Sequence, residues 1–84
     1  MENVDFITER KKFGRHILKL RKKISSKDYP GKFISQQELA DRSGNITKKT
    51  IGQIERGDIN PSFETLLVLA QALHISIQEL FNYH

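Results

Sequence analysis

Eighty-four residues allow one small domain with a modest core. Cysteine is absent, so neither a disulfide nor a thiolate metal site is available, a usage that fits a reducing cytoplasm; no apolar run is long enough for a signal peptide or a membrane span. Residues 1–56 carry fourteen Lys and Arg against seven acids, a balance of +7, while residues 57–84 carry three acids and no Lys or Arg, a balance of −3, which suggests a polyanion-binding part joined to a protein-contacting tail.

Met1 to Val4 reads as a frayed arm. Asp5 or Thr8 can cap a first helix over about 6–24. Phe6, Phe13, Ile17, Leu20 and Ile24 fall at three- and four-residue steps and mark its buried stripe. Nine basic residues lie between Arg10 and Lys27. Some suit phosphates, some suit the negative end of the helix dipole, and some serve solubility. The segment SSKDYPGKFI over Ser25–Ile34 is a loop, with Pro30–Gly31 as its turn. Lys27, Tyr29 and Lys32 either reach a phosphate backbone or merely fill the connection.

The next stretch, SQQELADRSGNITKKTIGQIERG over Ser35–Gly57, reads as two short helices joined by a tight turn. Ser35 and Glu38 form a capping box. Gly44 sits where a helix stops. Thr47 is a second N-cap and Gly57 a second stop. On a helical wheel, Lys48, Lys49, Gly52, Gln53 and Arg56 share one arc, with Ile51 and Ile54 opposite. The apolar arc must be buried. The other arc carries long donors suited to phosphates and base edges. An ordinary solvated polar face gives the same wheel. Gly52, lacking a side chain, would let the backbone approach a surface closely.

Asp58–Ser62 is a turn, with Pro61 preventing helix continuation and Ser62 capping the next helix. Leu66, Leu67, Leu69, Ala70 and Leu73 make a fourth helix apolar enough to expect packing on more than one side. Ser76 and Glu79 form another capping box, opening a short fifth helix with Ile77, Leu80 and Phe81; the tail helices together cover about 62–82. His16, His74 and His84 lack partners at metal-ligand spacing. The serines are mostly accounted for as caps, and no glycine-rich phosphate loop follows a strand, so an enzyme is not expected.

These residues together resemble the Cro/phage-repressor-like, or xenobiotic-response-element, helix-turn-helix family. The resemblance rests on SQ-x-ELA at Ser35–Ala40, Gly44, TI at Thr50–Ile51, IERG at Ile54–Gly57, NPS at Asn60–Ser62, ETLL at Glu64–Leu67, LAQAL at Leu69–Leu73 and S-x-x-ELF at Ser76–Phe81. It implies an all-α, five-helix, lambda-repressor-like domain occupying residues 1–84, with its helix-turn-helix at about 36–56. Two departures stand out. Asn45 looks like an inserted residue, expected to bulge in a left-handed conformation while Ile46 plugs the core. His74 stands where the family commonly has Gly, so it either adopts a left-handed geometry or extends the helix.

The resemblance further implies sequence-specific binding of double-stranded DNA by a homodimeric, cytoplasmic transcriptional regulator. Lys48, Lys49, Gly52 and Gln53 match positions that face bases. Gln36, Thr47, Arg56 and Arg21 match positions that face the DNA backbone. Arg21 is expected to pair with Glu55 and to present its remaining donors outward. Ile77, Leu80, Phe81 and Tyr83 are the expected dimer surface, with core closure as the other use of that helix. No cofactor, metal or small-molecule ligand is expected. Phage or plasmid repressors, restriction–modification controllers and toxin-binding antitoxins all resemble this chain. A protein-interaction module that has lost DNA binding would need a neutral or acidic second-helix face, which Lys48, Lys49 and Arg56 do not supply. RNA binding lacks an aromatic stacking platform.

Overall fold

The computed structural model describes residues 3–84 and contains five helices: α1 Phe6–Arg21, α2 Gln36–Ser43, α3 Lys48–Arg56, α4 Phe63–Ala72 and α5 Ile77–Leu80. Met1 and Glu2, half of the expected frayed arm, lie outside the described residues. Each helix opens on a side-chain oxygen that accepts from the third residue beyond it. The caps are Asp5, Ser35, Thr47, Ser62 and Ser76, and those at Ser35 and Ser76 are complete capping boxes.

α1 ends at Arg21, two to three residues earlier than its periodicity suggests. The reason lies downstream. The Ile24 carbonyl accepts from the Ile34 amide at 2.8 Å, and the Ser26 amide donates to the Lys32 carbonyl at 2.8 Å. Ser25 and Phe33 complete an isolated antiparallel bridge. The connection is therefore a small hairpin that draws Ile24 off the helix axis.

The core takes its fully buried side chains from every helix: Ile17, Leu39, Ile51, Ile54, Leu69 and Leu80. Phe13, Ile34, Ile46 and Leu73 close around them. Phe6, expected in the buried stripe, is 67% exposed because it occupies the first turn of α1, beyond the body of the domain. α4 is buried along Leu69, Ala70, Ala72 and Leu73 but leaves Phe63 and Leu67 exposed. One face of that apolar helix is thus open, since the other helices of so short a chain cover only one side of it.

At the turn between α2 and α3, Gly44 takes the left-handed conformation (φ 69°). Asn45, expected to do so, does not; among the described residues His74 (φ 57°) is the one non-glycine at positive φ. Ser43 stitches this turn together. Its hydroxyl donates to the Ala40 carbonyl and accepts from the amides of Asn45 and Ile46, which seats the buried Ile46 while Asn45 stays outside.

The tail folds back on α1. Phe81 stacks on Phe13 with centroids 5.5 Å apart, and Tyr83 meets the same ring edge-on at 5.9 Å. The Tyr83 hydroxyl donates to Glu9 Oε2 at 2.8 Å. That bond to a carboxylate, with burial, raises the phenol pKa. The raised value favours the neutral phenol in the folded state, so the contact's stabilisation is present below the ordinary tyrosine range and lost as pH rises through the folded pKa. Leu80, by contrast, is wholly buried.

Gly14 sets the spacing between α1 and α3. A Cβ there would collide with the backbone carbonyls of Ile54 and Glu55, which have no room to move within a helix. Gly14→Ala is therefore expected to force the two helices apart and to destabilise the fold by about 1–3 kcal/mol, read as a lowered midpoint in urea with an unchanged slope.

Candidate nucleic-acid interface

α3 is the most amphipathic element in placement. Ile51 and Ile54 are buried, while Lys48, Lys49 and Arg56 are exposed and Gln53 is half-exposed. Thr47 starts this helix by accepting from the Thr50 amide at 3.1 Å, and its exposed hydroxyl also donates to Thr50 Oγ1. Arg56 Nε lies 2.8 Å from Asp58 Oδ2, an exposed pair that solvent screens heavily. Lys48, Lys49, Gln53, Thr47 and Arg56 thus lie along one side of a single helix, and α2 begins beside them.

Behind this surface sits a buried polar network. Arg21 Nε donates to Glu55 Oε2 at 2.7 Å and Arg21 Nη2 to Glu55 Oε1 at 2.9 Å, a bidentate pair. Arg21 Nη1 donates to the Ile34 carbonyl at 2.9 Å, and Gln36 Nε2 donates to Glu55 Oε1 at 2.8 Å. The two charged side chains are 8% and 7% exposed. Among the described residues no buried side-chain nitrogen or oxygen lacks a partner. One network therefore ties the end of α1, the end of the hairpin, the first residue of α2 and the last turn of α3.

This geometry changes three expectations. Arg21, expected also to face the DNA backbone, is 7% exposed with three of its five N–H donors turned inward, so its guanidinium acts inside the protein. Gly52 is buried, with Gln36 Oε1 and Arg56 Nη1 3.5 and 3.1 Å from where a Cβ would sit. The two side chains cover it, so no open surface lies above it. Leu80, expected on a dimer surface, has no exposed area to offer. Of its companions, Ile77 and Tyr83 are half-buried and Phe81 is 47% exposed.

A second anchor escaped the sequence reading. Ser26 Oγ donates to Glu38 Oε2 at 2.7 Å, and Glu38 Oε1 accepts from the Ser35 amide. The Ser26 hydroxyl, then the Ser35 groups, hold the Glu38 carboxyl below its ordinary pKa. The hairpin is thereby fastened to the capping box of α2. No sequence spacing signals a contact of this kind.

The chain's likeness to known proteins agrees with this architecture. The family model for the helix-turn-helix matches residues 34–80. The chain belongs to the helix-turn-helix family. The crystal structure of the restriction-modification controller protein C.AhdI from Aeromonas hydrophila superposes with a TM-score of 0.76 at 36% identity, covering 93% of this chain and all of that one. Control protein C.SmaI of Serratia marcescens is 40% identical over 49 residues, which make up 58% of this chain and 57% of that protein. The chain thus matches little more than half the length of this curated relative. The five-helix fold is the Cro/repressor-like one. Among the described residues no group of three or more His, Asp or Glu is arranged to hold a metal ion, and no helix is long and apolar enough to cross a membrane.

Within this helix-turn-helix fold the buried network fixes how α3 is presented. Glu55→Gln would leave Arg21 as an uncompensated buried charge. The expected loss is about 3–5 kcal/mol of stability, measured by chemical denaturation. A loss below 1 kcal/mol would mean that water readily replaces the carboxylate.

Proposed function

We propose that this chain is a sequence-specific regulator of transcription that binds double-stranded DNA as a homodimer, of the controller type associated with restriction–modification. The observation that carries this reading is the face of α3. Lys48, Lys49 and Gln53 stand in the solvent with no acid among them, on a helix whose orientation is locked from behind by Arg21 and Glu55. A helix presented in this way enters the major groove with its N-terminal end toward base edges. Lys suits the O6 and N7 acceptors of guanine, and Gln suits the N6 and N7 edge of adenine.

Thr47, Gln36 and Arg56 flank that face and serve the phosphates. Gln36 spends one amide hydrogen on Glu55 and retains a second on the same nitrogen. Arg56 must exchange Asp58 for a phosphate. The chain is one domain over 1–84, works in the cytoplasm and uses no cofactor. The likeness to two controller proteins favours this context over a phage repressor or an antitoxin.

The dimer forms through the groove between α1 and the tail. Phe6, Phe13, Ile59, Leu66 and Phe81 line a space of about 400 Å³ there. Phe6 and Phe81 leave large apolar areas in solvent, the tail carries no Lys or Arg, and the charged side chains in the groove's lining are one acid and one base, Glu9 and Arg10. Two such protomers read half-sites about one helical turn apart, roughly 10 bp or a multiple of it.

Selection of binding sites from a randomised duplex pool tests the reading and should return a two-fold related sequence. On that site Lys48→Ala and Gln53→Ala are expected to cost about 1–3 kcal/mol and to relax base preference. Gln36→Ala should weaken selected and random duplexes alike. Unchanged discrimination in the Lys48 and Gln53 variants would remove α3 from base readout.

Assembly has its own test. Phe6 lies outside the core, so Phe6→Ser is expected to keep the thermal midpoint of the monomer while shifting sedimentation toward monomer. Operator affinity should then fall steeply, because the two half-sites no longer bind as one unit. Wild-type sedimentation of this variant would move the interface elsewhere.

A further inference from the structure

The hairpin between α1 and α2 leaves a groove against the helix-turn-helix that the family's two helices do not account for. The groove is about 530 Å³ and is lined by Arg21, Lys32, Phe33, Ser35, Gln36 and Lys48. Two exposed lysines meet there from different elements: Lys32 from the hairpin, Lys48 from the first residue of α3. No acidic side chain lines it. Lys27, on the same hairpin, belongs to a different groove whose lining includes Asp28, Glu38 and Asp41. Arg42 also lines that groove, so Lys27 stands in a mixed but acid-rich setting and Lys32 in one without acids.

The hairpin is also well fastened. Both backbone groups of Lys32 are bonded: its carbonyl accepts from Ser26 and its amide donates to Tyr29. Ser26 reaches Glu38, and Arg21 reaches the Ile34 carbonyl. The Phe33 ring lies 5.6 Å from the Arg21 guanidinium and 5.7 Å from the Lys22 ammonium, within the range of cation–π attraction. With the backbone held in this way, only the lysine side chain has to be ordered when it meets a ligand.

We propose that Lys32 is a DNA-backbone contact that takes a phosphate at this groove, beside the base-reading face of α3 that Lys48 opens, so that the hairpin adds one phosphate to the footprint of each protomer. The inference rests on the DNA-binding reading above. Lys27 takes no part in it, because its groove already holds acids that repel a phosphate.

Salt titrations by fluorescence anisotropy test this, using a selected operator and a mixed-sequence duplex with wild type, Lys32→Gln and Lys27→Gln. Each lost phosphate contact should make the slope of log K against log salt shallower by about 0.9 per bound protomer. Lys32→Gln is expected to show that change on both duplexes, with the ratio of operator to mixed-sequence affinity preserved. Lys27→Gln should keep the wild-type slope. Lys32 is exposed and its side chain makes no hydrogen bond in the structure, so its thermal midpoint should match wild type. A wild-type slope in Lys32→Gln, or an equal change in Lys27→Gln, would overturn the inference while the DNA-binding reading stood. A wild-type protein without operator preference would instead bring down that reading, and this contact with it.

Discussion

The presentation of α3 depends on the pair formed by Arg21 and Glu55. Removing two charges from water is expensive, and a buried ion pair is repaid only when its geometry is good and its remaining donors and acceptors are bonded. Both conditions hold here. The pair is bidentate, and Gln36 and the Ile34 carbonyl take up further positions on the two partners. Apolar residues of equal volume could supply as much stability. They would not tie the end of α1, the end of the hairpin and the start of α2 to a single carboxylate on α3. The consequence is directional: the exposed face of α3 is aimed by groups on its far side.

Gly14 complements that polar lock by setting the distance between α1 and α3. At Gly14, α1 comes down onto the α3 backbone at Ile54 and Glu55, directly beside the carboxylate that Arg21 binds. At Gly52, Gln36 lies beside the α3 backbone at ordinary contact distance, within reach of the same carboxylate. A methyl group at Gly14 would push α1, and with it Arg21, away from Glu55, whereas one at Gly52 would crowd mainly the end of the exposed Arg56 side chain. Close backbone approach and the hydrogen-bond network are therefore one device. A glycine inside α1 costs helix propensity of about 1 kcal/mol relative to Ala, and the packing it permits offsets that cost.

Local chemistry was the most legible part of the sequence. Ser35, Thr47, Ser62 and Ser76 all cap the helices their spacing announced, because a cap involves residues only three positions apart. Periodicity located the core through Phe13, Ile17, Leu69 and Leu73, and misplaced Phe6 because a pattern along one helix does not say where its neighbours end. The pairing of Arg21 with Glu55 came from family likeness; nothing in their spacing of 34 residues announces it. Contacts with no local signature were missed, among them Ser26 with Glu38 and the His16 ring with the Glu79 carbonyl. The lone Gly14 within a helical pattern is a readable hint of close packing.

A five-helix domain of this length leaves apolar surface it cannot cover. Phe6, Phe63, Leu67 and Phe81 are each more than two-fifths exposed, although large apolar side chains dominate the energetics of buried surfaces. Charge separates along the same chain, since every Lys and Arg lies before Gly57. In the proposed dimer each copy offers a tail without Lys or Arg, and the groove between α1 and that tail holds Glu9 and Arg10, which balance. A chain that bound DNA as a monomer would need no such division, and its exposed aromatic residues would be only a liability to aggregation. The proposed dimer on duplex DNA accounts for the charge segregation and for the uncovered area of Phe6 and Phe81.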